Sequence, residues 1–380
     1  MRNARAGSGA SSRAGAALLV VVFLAGIYFS YRDVVLEGAQ YDDSYITYRY
    51  AANLAEGRGL VFNSYERVNS ASSLLFTGLL ALAYRAGLHD LERVSAALNA
   101  MAGAAALVLA FRVGAAVSGS AFVTFLLLLP VALSGAWTGW AASGMDTVFY
   151  AFVVTAFLWA YAGGRRLAAL LLLAACMLTR PEGILVWISV LAAELLAVPR
   201  DAVRIRSYAV AGCAVLAAIL GFTYLYYSEW IPQPIELKSV SVYYAPGIGK
   251  QMEGVTAFFF GSFSALAIPA AGAVWRTLRV AVVSRLRRRS SPGVEEWRRV
   301  SRLDLFLAVF LSLSAVSFVL GPRSDLMRYT IHVLPIMAIA AARFWPEVRE
   351  RLPRFARVTP RSMNGRRTRR RGSRWGGGWK

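Results

Sequence analysis

Two adjacent carboxylates stand in the most polar part of an otherwise apolar chain. Asp42 and Asp43 lie near the start of the stretch QYDDSYITYRYAANLAEGRGLVFNSYERVNS, residues 40–70. A carboxylate at the edge of a cavity can accept a proton from a hydroxyl group, and a pair of carboxylates can bind a divalent cation. Acids at the start of a helix are also stabilised by the helix dipole, so the same pair could serve as a helix cap. The local pattern leaves both interpretations open.

A second set of charged residues stands inside or beside apolar runs. Arg180 and Glu182 belong to the sequence Thr179-Arg180-Pro181-Glu182-Gly183, in which Pro and Gly should interrupt a helix. Ionisable residues at membrane depth commonly mark functional sites, although an Arg180–Glu182 ion pair at a helix end would explain the charges equally well. Lys238 and Arg328 are further cations of this kind, and each could instead be an interfacial side chain that extends toward water.

Composition explains why these few charges stand out. The chain has 380 residues, a formal net charge of +21 and a hydrophobic fraction of 57%. This combination predicts a polytopic membrane protein with one strongly basic side, and it excludes a soluble enzyme, a disordered chain and a disulfide-rich domain. The two Cys and two His residues have no metal-ligand spacing, so a zinc site is not expected.

Apolar runs predict an all-α fold. A spanning helix needs about 20 mostly apolar residues to cross a ~30 Å hydrocarbon core. The candidate runs are 14–31, 71–88, 94–115, 120–140, 147–162, 167–180, 184–198, 207–227, 255–275, 303–320 and 329–344. The first resembles a signal peptide but has no small-residue cleavage site after it, so it is predicted to be an uncleaved first helix.

Basic loops predict the topology. The N-terminus, Arg165-Arg166, the loop 199–206, the loop 276–302 and the C-terminal tail are all rich in Arg and should be cytoplasmic. They can share one side only if 71–88 does not cross fully, which gives ten spans, or eleven if it crosses. Residues 1–344 would then form the membrane domain, with external loops at 32–93, which contains juxtamembrane helices, and at 228–254.

The tail 345–380 is predicted to be disordered, because it is rich in Arg and Gly. Next to a cytoplasmic helix end, it should contact anionic lipid head groups, and no nucleic acid is expected. Both termini would lie in the cytoplasm and the protein in the plasma (inner) membrane. The aromatic cluster Tyr224, Tyr226, Tyr227 and Trp230 is interpreted as part of the outer interface belt.

Five motifs in order resemble the GT-C glycosyltransferases, polytopic enzymes that use polyprenyl-phosphate sugars, and most closely the bacterial branch that includes actinobacterial arabinofuranosyltransferases. The first is DD-x(3)-T-x-R-Y-A-x-N-L-A-x-G-x-G-L-V-x-N followed by ERV, within 42–68. The others are Ser143-Gly144-Met145-Asp146-Thr147, Leu178 through Gly183, Pro232 through Ser239, and Arg328-Tyr329 followed by Leu334-Pro335. The resemblance implies a GT-C-like helical bundle.

The resemblance also implies a reaction and its residues. A sugar would move from a polyprenyl-phosphate donor to a glycan or glycolipid acceptor with inversion, on the external face. Asp42 would be the catalytic base, and Asp43 would orient it or share a divalent cation (Mg, Mn or Ca), with no organic cofactor. Donor phosphate would contact Arg49, Arg180, Lys238 and Arg328. Candidates for substrate binding are Tyr50, Asn53, Asn63, Glu66, Asp146 and Glu182, and all of these except Tyr50 could instead be loop scaffolding.

Departures from the family pattern keep other functions open. After Val68 the chain continues Asn69-Ser70-Ala71-Ser72-Ser73, where the family usually has a Gly-Tyr-Thr-Ser-Pro-Leu-Trp-like stretch. A catalytically inactive paralogue acting as an envelope-assembly scaffold would fit this change. A transporter or flippase would also carry intramembrane charges and broken helices, although it should show repeated halves and no internal repeat is found.

Overall fold

A computed structural model describes residues 13–28, 41–71, 73–230, 252–253, 256–257, 263–286, 300–320 and 330–351. Every regular element within these ranges is helical, which confirms the all-α fold class. Lys238, Arg328 and the tail from residue 352 onward lie outside the described residues, as does most of the loop 228–254.

Within these ranges the chain forms thirteen α-helices, numbered α1 to α13 in chain order. They are α1 (Arg13–Tyr28), α2 (Asp42–Ala55), α3 (Leu74–Arg85), α4 (Leu91–Ser118), α5 (Ala121–Leu133), α6 (Gly135–Ala142), α7 (Thr147–Ala162), α8 (Arg166–Thr179), α9 (Gly183–Leu196), α10 (Ala202–Tyr227), α11 (Ser264–Leu286), α12 (Arg302–Leu320) and α13 (Leu334–Arg351). A 3-10 turn, Ile331–Val333, leads directly into α13.

Helix length supports a membrane protein but not the predicted number of spans. Among the described residues, three helical segments are long and apolar enough to cross a membrane: α4, α10 and Ile331–Glu350. The bent pair α5 and α6 raises the count to four if it forms one span. The apolar helices α7, α8 and α9 have 16, 14 and 14 residues. At ~1.5 Å per residue they rise about 21–24 Å, less than the ~30 Å of a hydrocarbon core.

The predicted run 120–140 is two helices with a sharp bend. The pair α5 and α6 meets at 55°. Pro130 lies in the last turn of α5, and Ser134 starts the next helix by accepting a hydrogen bond from the backbone N–H of Trp137. Proline weakens the end of one helix and serine caps the start of the next, so hydropathy alone could not detect the break.

The core of the bundle forms around α4, which packs against α5, α7 and α13. Small residues on α4 let these neighbours approach closely. A Cβ added to Gly103 would lie 2.4 Å from the Phe23 ring, and one added to Gly114 would lie 2.6 Å from Thr124 Cγ2. Such small-residue contacts are typical of helix pairs in membranes, where packing drives association.

Two helices extend past the predicted loop boundaries. Helix α11 continues to Leu286, so the first part of the predicted basic loop 276–302 is helical. Helix α13 continues to Arg351, seven residues beyond the predicted end of the membrane domain at 344. The ion pair between Arg276 and Glu347 joins these two extensions, which explains why charged residues there remain helical.

Helices α7 and α9 run from one end of the bundle to the other and define two ends that differ in charge. The carboxylate end is the end that holds Asp42, Asp43, Asp146, Arg180 and Glu182. The arginine end is the opposite end, where Glu194, Arg204 and Arg302 meet.

Candidate active site

Helix α2 presents both predicted catalytic acids at its first turn. Asp42 and Asp43 are exposed, and the backbone N–H of Asp43 donates to Asp42 Oδ1 at 2.9 Å. Their position at the helix N-terminus is electrostatically favourable, as the capping interpretation predicted. Their exposure also leaves both carboxylates reachable by a substrate, so the position suits either role.

Contacts to α4 and α6 fix the start of α2. The Tyr48 and Ser95 hydroxyls lie 2.5 Å apart, and the Tyr45 hydroxyl donates to Glu92 at 2.8 Å. The Tyr41 ring stacks on Trp140 with ring centroids 4.7 Å apart. Burial raises the pKa of Tyr48 to about 12, so this hydroxyl stays protonated at neutral pH. The acids of α2 are therefore held on a rigid support.

Asn53 supports the loop after α2 and does not face a substrate. Its buried amide donates to the carbonyls of Val61 at 2.7 Å and Phe62 at 2.8 Å, and its Oδ1 accepts from Arg58 Nε. Both amide hydrogens are thus used within the loop. These contacts favour the loop-scaffolding interpretation of Asn53.

Arg49 is exposed at the same loop and is restrained by it. Its Nε donates to the carbonyl of Phe62 at 3.2 Å. Arg49 follows Asp42 by seven residues, so the two lie on the same face of α2, about 10 Å apart along the axis. Of the four predicted phosphate ligands, Arg49 and Arg180 are described, and only Arg49 is exposed.

Tyr50 also belongs to the loop scaffold, contrary to its assignment as a substrate-binding residue. The ring is fully buried, its hydroxyl donates to the carbonyl of Val68, and it accepts from the backbone N–H of Ser70 at 3.2 Å. Tyr50 thereby ties α2 to the far end of the loop. Asn63 and Glu66, in contrast, remain at the surface, where Asn63 Nδ2 donates to Glu66 Oε1.

Two tyrosines at the end of α10 close the loop from the other side. The Tyr226 hydroxyl accepts from the backbone N–H of Leu60 at 3.0 Å, and the Tyr227 hydroxyl donates to the Leu60 carbonyl at 2.6 Å. Gly59 has φ +91°, and a Cβ there would lie 2.4 Å from the Tyr226 hydroxyl oxygen. The sequence prediction placed these tyrosines in an interface belt and missed this contact, since residues 60 and 226 are far apart in the chain.

A buried ion cluster lies at the turns before α7 and α9. Arg180 Nη1 lies 2.9 Å from Asp146 Oδ1, and its Nε lies 3.4 Å from Glu182 Oε2. The Arg180 side chain is 9% exposed and that of Asp146 is 8% exposed. The predicted Arg180–Glu182 pair is therefore present, but the shorter contact is to Asp146, which sequence reasoning had assigned to substrate binding. One guanidinium thus lies between two carboxylates.

The sequence prediction also missed Asn99 of α4, which lies at the carboxylate end. Its Nδ2 donates to the carbonyl of Met145 at 2.9 Å, and its Oδ1 accepts from the N–H of Phe149 at 3.0 Å. Gly144, two residues before Asp146, forms the turn there with φ +80°. These contacts fix the position of Asp146. Asn99 is the single polar residue between Ser95 and Arg112 in the sequence of α4, and this was the available signal.

Two buried hydroxyl groups on α7 lie near the same cluster. Within the described ranges, the hydroxyls of Thr147 and Tyr150 are buried without a hydrogen-bond partner. The Arg180 guanidinium lies 5.9 Å from the centroid of the Tyr150 ring. Buried polar groups normally find partners, so this region of α7 offers hydrogen-bonding capacity to a bound group.

The carboxylate pair could hold a cation only with additional ligands. Asp42 and Asp43 supply two carboxylates, and a search of the described ranges finds no group of three or more His, Cys, Asp or Glu side chains arranged for a metal. Mg²⁺ is commonly bound by one or two carboxylates together with phosphate oxygens and water. The donor set therefore fits a cation that arrives with a phosphate-bearing substrate.

An apolar groove adjoins this end of the bundle. It encloses about 570 Å³ between the end of α2, one face of α3 and Leu178 at the end of α8, and Arg85 lies at its margin. The predicted incomplete span 71–88 corresponds to α3, whose 12 residues are too few to cross a membrane. A groove open toward lipid and bordered by a cation suits a chain with a charged head.

Comparison of the chain with protein-family models, curated proteins and solved structures found no match.

Proposed function

We propose that this protein is an integral-membrane inverting glycosyltransferase of the GT-C type, which moves a sugar from a polyprenyl-phosphate donor to a cell-envelope glycan or glycolipid. The observation that carries the proposal is the exposed pair Asp42 and Asp43 on a rigidly supported helix. Arg49 lies on the same face of that helix, and the apolar groove adjoins the C-terminal end of the helix, about 18 Å along its axis from Asp42.

The reaction needs few protein groups. Asp42 acts as the base that takes the proton from the acceptor hydroxyl as the hydroxyl oxygen attacks the anomeric carbon. The bond from that carbon to the phosphate oxygen breaks, and the polyprenyl phosphate leaves with the bond's electrons. Arg49 stabilises its growing negative charge, together with Lys238 and Arg328. The spacing of about 10 Å between Asp42 and Arg49 leaves room for one sugar ring.

Arg180 has a different role in this proposal from the one that the motif suggested. Its guanidinium is buried between Asp146 and Glu182, so it orders the floor of the site and is not the main phosphate contact. A divalent cation held by Asp42 and Asp43 would supply additional positive charge to the leaving phosphate. The groove beside α3 would hold the first isoprene units of the donor.

The proposed topology places the carboxylate end outside the cell and the arginine end in the cytoplasm. It is supported by the separation of the described segments. Residues 42–68, 143–147 and 179–183 lie at the first end, and Arg165, Arg166, Arg204 and Arg302 lie at the second. In this orientation the described residues Arg165, Arg166, Arg204 and Arg302 would all lie on the cytoplasmic side.

Replacement of Asp42 tests the proposal. Membranes from cells that produce Asp42→Asn should transfer sugar from radiolabelled polyprenyl-phosphate donors at least about 100-fold more slowly than wild type, because general-base catalysis contributes 10²–10⁴-fold. Asp90→Asn is the matched control, since Asp90 is an exposed acid of the same segment that caps α4. Undiminished transfer by Asp42→Asn, or an equal loss in Asp90→Asn, would contradict the assignment.

A further inference from the structure

A cavity at the arginine end lies far from the candidate active site. It encloses about 470 Å³ between the α7–α8 turn, residues 197–198 and the start of α12. Ligand pockets of 300–1,000 Å³ commonly hold small molecules or parts of larger ones. The three segments around the cavity belong to, or directly adjoin, the basic regions that the sequence places on a single side of the membrane.

The polar wall of the cavity has more positive than negative charge. Glu194 is fully buried and is held by Arg204 at 2.7 Å and by Arg302 at 2.9 Å. The Tyr161 hydroxyl donates to the same carboxylate at 3.0 Å. Asp201 is a second acid near the cluster, since the backbone N–H of Arg204 and the charges of Arg204 and Arg302 lower its pKa, but it is exposed and does not line the cavity. Among the described residues, the cavity lining itself carries two cations and no acid.

Both guanidiniums that line the cavity remain partly accessible. The side chains of Arg204 and Arg302 are 19% and 33% exposed, whereas Glu194 is 0% exposed. An entering ligand therefore meets two cations first, with the carboxylate behind them. Asp304 does not cancel this charge, because it is paired with Arg343 at 2.8 Å.

From this arrangement we propose that the cavity binds the phosphate group of an anionic lipid head group. Nε and Nη2 of Arg204 donate to Glu194, and those of Arg302 donate to Glu194 and to the Pro199 carbonyl. Nη1 of each arginine is left to donate a charge-assisted hydrogen bond to a phosphate oxygen. Helix α10, which carries Arg204 near its start, is long, apolar and mostly unburied, so it provides a lipid-facing wall next to the cavity. Within the C-terminal tail, residues 351–380 carry only basic charged side chains and would be repelled from this site.

This inference does not depend on sugar transfer, and lipid binding can be measured directly. Full-length protein in neutral detergent would be titrated with dioctanoyl-phosphatidylglycerol and examined by native mass spectrometry. Arg302→Gln should weaken binding of the tightest lipid about tenfold, since each charge-assisted contact contributes on this scale. Arg200→Gln removes one exposed charge at the same end, outside the cavity, and should bind like wild type.

Ala162→Phe provides a second variant that keeps every charge. Ala162 is an exposed residue of the cavity wall, so the larger ring should block entry and reduce binding without disturbing the ion cluster. Equal binding of dioctanoyl-phosphatidylcholine and phosphatidylglycerol by wild type would overturn the proposal. Unchanged affinity in both cavity variants would overturn it as well. Displacement of the lipid by millimolar glycerol 1-phosphate would show that the cavity binds a free phosphate ester and not a lipid head group, which would overturn the proposal.

Discussion

The two ends of the bundle use the same three-charge arrangement with opposite sign. At the carboxylate end, one cation, Arg180, lies between the acids Asp146 and Glu182. At the arginine end, one acid, Glu194, lies between the cations Arg204 and Arg302. At the arginine end the central Glu194 is fully buried, whereas Arg204 and Arg302 are 19% and 33% exposed. At the carboxylate end the three side chains are about equally buried, with Arg180 9%, Asp146 8% and Glu182 12% exposed.

This difference shows how one fold can present two chemistries. Carboxylates at the first end suit a divalent cation, whereas the two guanidiniums around the opposite cavity suit phosphate. The ends are also closed differently. At the carboxylate end, neutral hydrogen bonds between the backbone and the side chains of Asn53, Tyr226 and Tyr227 hold the loop after α2. At the arginine end, ion pairs join the segments.

Loss of the central cation should have the largest effect on stability. Arg180→Gln removes a positive charge that lies 2.9 Å from the nearly buried Asp146 and 3.4 Å from Glu182, and removal of one partner of a buried pair costs about 3–5 kcal/mol. Thermal unfolding of the detergent-solubilised variant should show a large drop in melting temperature. Arg180→Lys keeps the charge and should lose less. An unchanged melting temperature for Arg180→Gln would show that the cluster does not stabilise this end.

Loss of the central acid should cost less, although the acid is more deeply buried. In Glu194→Gln the two remaining guanidiniums are partly exposed and can be hydrated, so a cost of about 1–3 kcal/mol is expected. Glu347→Gln serves as the control, because its ion pair with Arg276 is more exposed and should contribute less than about 1 kcal/mol. If Glu194→Gln destabilised the protein more than Arg180→Gln, the central cation would not be the more important of the two for stability.

Local sequence patterns predicted the elements of both ends but not their partners. The Pro and Gly of residues 179–183 predicted the break between α8 and α9, which the structure confirms. The partner of Arg180 could not be predicted in the same way, because Asp146 lies 34 residues away in the chain. Glu194 gave no distinct signal, since a single acid in an apolar run does not indicate which arginines it meets.

Motif residues were easier to find than to assign. Asn53 and Tyr50 were selected from the motif, but their side chains support the loop, and only their burial and hydrogen bonds reveal this role. The number of spans was overestimated for a related reason. Hydropathy adds up apolar residues, whereas capping residues such as Ser134 decide where each helix ends.

The smallest predicted effect concerns the neutral closure of the carboxylate end. Gly59→Ala introduces two costs, because its φ of +91° is unfavourable for alanine and its Cβ would press on the Tyr226 hydroxyl at 2.4 Å. Gly57 also has a positive φ, +79°, but nothing lies within 4 Å of its added Cβ, so Gly57→Ala carries only the backbone cost.

Gly57→Ala should therefore destabilise the loop by about 1 kcal/mol and Gly59→Ala by about 1–3 kcal/mol, the difference being the contact with Tyr226. Limited trypsin cleavage after Arg58 and Arg67 reports opening of this loop directly, and it should accelerate more in Gly59→Ala. The ion pairs of the arginine end should be unaffected, so lipid binding there should match wild type. Equal cleavage rates of the two variants would mean that the Tyr226 side chain moves away from the new Cβ without loss of stability. In that case α10 would not hold the loop of the carboxylate end closed.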